Sequence, residues 1–224
     1  MNAQSVPSSR PPANPGLNSR RAPGGLGPSQ LTDFVLANTR LRPVPFVPEL
    51  RLHLADEALT LWKLTYPLPD GRRGVRGLAG GPPLPFWAFA WAGGQALARY
   101  LLDHRAVVAG RRVLDLGSGS GLVAIAATKA GADAVTASDV EPLAAAAMAL
   151  NAAANGVTLD VRLAERTVAC LKRARRRGAT VLLGDMGREY LPRRQLEAVV
   201  SYDVPCMADL EDADVKRTSV WRLA

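Results

Sequence analysis

The chain has 224 residues, a length that suits one domain preceded by a tail. Hydrophobic residues make up 48% and charged residues 21%. No run reaches the roughly 18 apolar residues that a spanning helix needs, so we expect one globular domain with no membrane segment.

Cysteine usage suggests neither a disulfide framework nor a metal site, because Cys170 and Cys206 stand far apart and outside any metal-ligand spacing. This favours a reducing compartment, so we expect a cytoplasmic protein. We also expect a monomer.

The net charge of +8 raises the question of nucleic-acid binding. Much of the positive charge lies in two places, the segment before Asp33 and a cluster over residues 172–177. Neither is interleaved with aromatic residues that could stack on bases. A solvated basic helix end before Gly178 is the favoured interpretation of the cluster, so nucleic acid is not an expected partner.

Residues 1–28 consist mainly of Pro, Ser, Gly, Asn and Ala with few large apolar side chains. They cannot bury enough surface to offset the entropy of ordering, so the sequence predicts a disordered tail. A mitochondrial presequence would share the arginines and the lack of acids, but the prolines before Gln30 oppose the amphipathic helix it requires. The folded domain is expected over residues 29–224.

The start of this domain gives mixed signals. Leu31, Phe34 and Val35 predict a short helix with Ser29 as its cap, interrupted by the prolines over residues 43–48. Residues 49–62 fit either a strand or a helix. A helix with one apolar face is predicted from about Gly94 to His104.

The most regular part of the chain alternates short apolar strands with alanine-rich helices, which predicts βαβ units and a parallel sheet. We expect strands at 112–116, 134–139, 159–163 and 180–183, and helices at 122–130, 142–155 and 165–177. Two further strands, 198–204 and 218–223, would form a terminal antiparallel unit. The predicted fold class is α/β, with a Rossmann-like, doubly wound, mostly parallel sheet and helices on both faces.

A glycine-rich turn between the first of these strands and its helix predicts close backbone approach to a ligand, because glycine has no Cβ and tolerates positive φ. Gly117, Gly119 and Gly121 occupy the turn, and Asp115 precedes it. A dinucleotide fingerprint would place its third glycine at the position of Leu122. The spacing instead resembles motif I of class I methyltransferases, which implies S-adenosyl-L-methionine as cofactor, with the acid near the methionine ammonium.

Asp139 ends the second strand, where an acid can accept hydrogen bonds from ribose hydroxyls, and Glu141 is close enough to share that role. The alternative is that Asp139 merely caps the helix that begins at Pro142.

These motifs, together with several others, resemble the lysine methyltransferases of the electron transfer flavoprotein β subunit over most of residues 29–224. The segments that carry the resemblance are 38–41, 48–52, 85–97, 113–121, 139–142 and 184–188. The segment Trp-x-Gly-Gly-Gln-Ala-Leu at 91–97 is specific to this group. The resemblance implies a protein-lysine methyltransferase, a lysine-bearing protein partner such as the flavoprotein β subunit, and Trp91 in contact with the cofactor. For Trp91 itself core packing is an equal alternative, and for Trp87 it is favoured.

One departure from the family concerns its fourth strand, which ends in Gly-Asp-x-Phe-Tyr-Asp/Glu beside the methyl group and the acceptor lysine. Here residues 159–164 run directly into the next predicted helix, so we expect this strand to be absent. We therefore assign no catalytic base and expect weak or no methyl transfer. Two alternatives stay open: a small-molecule or ribosomal-protein methyltransferase, and a cofactor-binding remnant without turnover.

Overall fold

The computed structural model describes residues 27–57, 61, 85–163, 174–187, 191, 193–206 and 213–223. Most of the predicted tail lies outside this part of the chain, and so does most of the predicted helix 165–177. The helices are α1 (Pro28–Asn38), α2 (Ala92–Asp103), α3 (Leu122–Lys129) and α4 (Pro142–Ala154). The strands are β1 (Arg40–Val44), β2 (Val47–Leu54), β3 (Arg112–Leu116), β4 (Ala134–Asp139), β5 (Asp160–Leu163), β6 (Leu182–Asp185), β7 (Leu196–Pro205) and β8 (Val215–Leu223).

The N-terminal segment forms a helix followed by a hairpin. The residue at the helix cap is Gly27 rather than the predicted Ser29, and its N–H donates to Oε1 of Gln30 at 2.9 Å. The proline-rich stretch builds the antiparallel pair β1 and β2 instead of only interrupting the helix. Proline is tolerated there because each strand of a two-stranded ribbon has an edge that needs no N–H donor.

Strand β2 settles the ambiguity of residues 49–62 in favour of a strand for its first part. Leu50, Leu52 and Leu54 are buried on one face, and they share a cluster with Ile125 and Ala126 of α3. The period of two therefore reflects packing of the hairpin on a helix.

The central strands confirm the predicted βαβ units. Strands β3, β4 and β5 form a parallel sheet with Arg112 opposite Ala134 and Thr136 opposite Asp160. Helices α3 and α4 contribute to the same core as this sheet, whose buried members include Ala124, Ala127, Val135, Ala137, Leu143 and Ala147.

The predicted single sheet is wrong in one respect, because the described strands form three separate hydrogen-bonded groups. Strands β6, β8 and β7 make an antiparallel sheet in that order, which includes the predicted terminal pair β7 and β8. Within the described residues, β3 and β6 are both edge strands, and no strand joins the two sheets. Leu114, in the middle of β3, is 48% exposed.

Helix α2 connects the separate groups. It packs on α3 and on the strands β6 and β8. Its Gln95 is buried, where Oε1 accepts the N–H of Phe46 and Nε2 donates to the carbonyls of Ala90 and Pro205. Gln95 thus ties the hairpin, the aromatic segment (residues 86–91) and β7 to one helix. No helix in the described part of the chain is long and apolar enough to cross a membrane.

Candidate functional site

A cavity of about 260 Å³ lies where the carboxyl ends of β3 and β6 meet the start of α2. Open α/β sheets bind ligands at the carboxyl ends of their strands, so the position agrees with the predicted site. The lining residues come from the aromatic segment, the start of α2, the glycine turn and the end of β6: Phe86, Phe89, Trp91, Gly93, Gly94, Asp115, Gly117, Ser118, Gly119, Ser120, Leu122, Val123, Gly184, Asp185 and Met186.

The glycine turn has the left-handed backbone that its sequence predicts, with φ of +69° at Gly117, +53° at Gly119 and +83° at Gly121. Gly117 and Gly119 line the cavity, whereas Gly121 does not. A Cβ on Gly121 would lie 3.2 Å from Cγ of Met148, so this glycine makes room for α4. Contact of Gly121 with the cofactor stays a prediction.

Hydrogen bonds fix the turn to its neighbours. The N–H groups of Gly117 and Ser118 both donate to the carbonyl of Ser138 in β4. Asn151 of α4 is fully buried, and its Nδ2 donates to the carbonyl of Ser120 at 2.8 Å while its Oδ1 accepts the N–H of His53. The turn is therefore preorganised by β4 and by a residue that also binds β2.

Asp115 lines the cavity beside this turn. Its Oδ2 accepts the hydroxyl of Ser118 at 2.5 Å and the N–H of Ala124 at 3.1 Å. Burial raises the pKa of the Asp115 carboxyl above its usual value, and the charge of Asp139 acts in the same direction, while the two hydrogen bonds oppose the shift. A cation bound in the cavity would offset the cost of ionising this carboxyl.

Asp139 and Glu141 are not among the lining residues. Asp139 Oδ2 accepts the N–H of Gly119 at 2.9 Å, and Oδ1 accepts the N–H groups of Val140 and Glu141. Asp139 thus joins the glycine turn to the turn before α4, and Glu141 occupies the N-cap position of that helix. Ribose contact by either acid stays a prediction.

The aromatic segment forms another wall. Trp91 lines the cavity, its Nε1 donates to the carbonyl of Phe86 at 2.9 Å, and its ring lies 5.1 Å from that of Phe86. Trp87, four residues earlier in the chain, is fully buried, as favoured from the sequence. The structure therefore places Trp91 where cofactor contact is available.

The sequence assigned no cofactor-binding or catalytic residue on β6, although the segment 184–188 carries part of the resemblance. Gly184, Asp185 and Met186 line the cavity, and Asp185 is only 8% exposed. The available signal was an acid at the carboxyl end of a buried strand, the same signal that identified Asp139. Asp185 was not assigned to the site because the packing of α2 determines which strand ends line the same cavity.

The chemistry of the lining suits an organic cation. Among the described lining residues there are two acids and no basic side chain, with aromatic rings nearby that can attract a positive charge. S-adenosyl-L-methionine carries an ammonium and a sulfonium, so the side chains present fit this cofactor.

Comparison with known proteins gives a consistent picture. The family model for ribosomal protein L11 methyltransferase (PrmA) matches residues 96–177. The electron transfer flavoprotein beta subunit lysine methyltransferase of Xenopus laevis is 32% identical over 220 residues, covering 84% of this chain and 85% of its own. The Danio rerio protein of the same name is 31% identical over 227 residues, covering 86% and 83%.

Among solved structures, the ribosomal protein L11 methylase from Lactobacillus delbrueckii subsp. bulgaricus aligns with a TM-score of 0.41 and 21% identity. It covers 61% of this chain and 81% of that one.

Proposed function

The chain belongs to the family of electron transfer flavoprotein beta subunit lysine methyltransferases, and from this premise we propose that it methylates a protein lysine with S-adenosyl-L-methionine. The observation that carries the proposal is the cavity, where the glycine turn, an acid and an aromatic wall meet. When bound, the cofactor supplies a methyl group on a sulfonium, which is already a good leaving group. The protein then contributes mainly alignment and exclusion of water.

Each wall has a distinct part in the proposal. Asp115 receives the cofactor's ammonium, which favours the ionised carboxyl despite its burial. Gly117 and Gly119 leave room for the nucleoside, and Asp139 holds Gly119 in place through its N–H. Trp91 faces the sulfonium, a contact worth about 0.5–2 kcal/mol.

The proposed acceptor is a lysine of the flavoprotein β subunit. Support comes from the names of the Xenopus laevis and Danio rerio relatives, whose alignments extend over more than four fifths of each chain. A ribosomal-protein acceptor is the second candidate, since the L11 methyltransferase model matches residues 96–177. That match includes the glycine turn but not the end of β6. It therefore supports cofactor binding but gives no support for a particular acceptor.

The test is methyl incorporation from labelled S-adenosyl-L-methionine into purified flavoprotein β subunit, with ribosomal protein L11 and a whole lysate in parallel. Mass spectrometry locates the modified residue, and calorimetry measures cofactor binding in the same preparation. Methyl on a lysine of the β subunit supports the proposal. Cofactor binding with no incorporation into any of the three acceptors would reject it in favour of a remnant without turnover.

A further inference from the structure

Asp185 is a nearly buried acid at the end of β6 that lines the same cavity as Asp115 but belongs to a different sheet. We infer that its carboxylate receives and orients the amine of the acceptor lysine, an inference that rests on the proposed function. The assignment follows from how the backbone holds Asp185, from the charge of the cavity and from the geometry of methyl transfer.

The backbone fixes Asp185 from two sides. Before it, Gly184 meets Gly93 of α2 so closely that a Cβ on Gly93 would lie 2.5 Å from the carbonyl oxygen of Gly184. After it, the N–H of Gly187, at φ of +92°, donates to Oδ1 of Asp185 at 2.7 Å. A side chain held in this way loses little further freedom when it binds a substrate.

The charge of the cavity selects the ligand. Asp115 already accepts two hydrogen bonds beside the glycine turn, where the cofactor is expected. Asp185 adds a second carboxylate from the other sheet, and no Lys or Arg stands among the described lining residues. A carboxylate accepts N–H donors, and a lysine side chain supplies such donors in both its charged and its neutral form.

The edge position of β6 makes the assignment specific. In the described part of the chain β6 pairs only with β8, so no described strand covers its cavity side. A lysine side chain entering beside β6 reaches Asp185 at the strand's carboxyl end. The fourth strand of the family, which we expect to be absent here, would lie beside this edge of β6.

In the transfer step the neutral lysine amine donates one N–H to Asp185, which directs the nitrogen lone pair away from the carboxylate. That lone pair forms the new N–C bond as the C–S bond breaks, with its electron pair remaining on sulfur. The surplus proton on nitrogen then passes to water. Asp185 is thus an orienting group, and no proton needs to remain on it.

The test compares Asp185→Asn with the wild type. The amide oxygen of asparagine can still accept the N–H of Gly187, so this variant removes the charge while keeping the turn. Asp203→Asn is the matched control, because Asp203 is an exposed acid on β7 paired with Arg217. Protein saturated with S-adenosylhomocysteine is titrated with end-blocked lysine amide and with end-blocked norleucine amide, followed by ligand-observed NMR.

We expect the wild type and Asp203→Asn to bind the lysine amide in preference to the norleucine amide. In Asp185→Asn the lysine affinity should fall by about tenfold or more, as expected for a lost charged hydrogen bond, with S-adenosylhomocysteine affinity unchanged. Equal lysine affinity in Asp185→Asn, no lysine preference in the wild type, or a parallel loss of S-adenosylhomocysteine binding would each overturn the assignment. Asp185-dependent lysine binding without methyl transfer to any protein would reject the proposed function alone.

Discussion

Gly93 and Gly184 meet backbone to backbone, and neither could carry a side chain without moving the other. The contact joins the first turn of α2 to the end of β6. This contact thereby sets the distance across the cavity between the glycine turn and Asp185.

Gly93→Ala should therefore destabilise the fold by about 1–3 kcal/mol, the usual cost of overpacking, because its Cβ would meet backbone rather than a movable side chain. Gly94→Ala is the control, since its Cβ would lie 3.7 Å from Leu122 Cδ2, an ordinary contact. That change should be neutral or stabilise by up to about 1 kcal/mol, because alanine favours a helix. Denaturant titration measures both, and equal stabilities would contradict the close contact.

Gly119→Leu should abolish cofactor binding. The φ of +53° strains any residue with a Cβ, that Cβ would lie 3.4 Å from the carbonyl oxygen of Phe86, and the rest of the side chain would enter the cavity. Gly110→Leu separates strain from obstruction, because Gly110 has φ of +66° with nothing within 4 Å of its Cβ. Calorimetry should detect cofactor binding by Gly110→Leu but not by Gly119→Leu. Binding by Gly119→Leu would place the cofactor elsewhere.

Asp115 should make cofactor affinity depend on pH. Its folded pKa is raised above 3.8, so between 3.8 and the raised value the folded protein holds more protons than the unfolded protein. In that window its contribution to stability falls as pH rises. A bound cation favours the ionised carboxyl, so affinity should rise with pH through the folded pKa, with proton release.

Calorimetry in buffers of different ionisation enthalpy measures that proton release. The variant Asp115→Asn should lose both the release and part of the affinity. Asp133→Asn, an exposed acid in the turn before β4, should behave like the wild type. A pH dependence that persists in Asp115→Asn would assign it to another group.

Asp139→Ala should weaken cofactor binding by about 1–3 kcal/mol, the range for lost hydrogen bonds to buried polar groups. The structure adds that the N–H of Gly119 loses its acceptor, so the turn itself loosens. Asp139→Asn keeps an acceptor oxygen and should weaken binding less. If both variants bind as tightly as the wild type by calorimetry, Asp139 has neither role.

Insertion of a family-like fourth strand between Ala164 and Glu165 should raise methyl transfer with little change in cofactor affinity. Misplacement of reacting groups by about 1 Å can cost on the order of a hundredfold in rate, and in the described part of the chain the proposed acceptor side has only the end of β6. Initial rates with the flavoprotein β subunit measure the effect. Equal, robust rates with and without the insert would mean that the end of β6 completes the acceptor side unaided.

The sequence alone determined the elements whose signals are local. The bounds of β3 and β4 agree with prediction, because a short apolar run between a turn and a helix is set by neighbouring residues. The glycine turn was predictable for the same reason, since positive φ is a property of each residue. The hairpin of β1 and β2 was not, because the pairing of Arg40 with Leu54 depends on burial of β2 against α3.

Only the tertiary structure decided what meets across the cavity. The division between the β3 and β6 sheets, the contact of Gly93 with Gly184 and the place of Asp185 beside the glycine turn join segments that are distant in sequence. Gln95 shows why, since it bonds to Phe46 and to Pro205, which lies 110 residues away. Such contacts follow from which surfaces pack in three dimensions, and no local period in the chain encodes them.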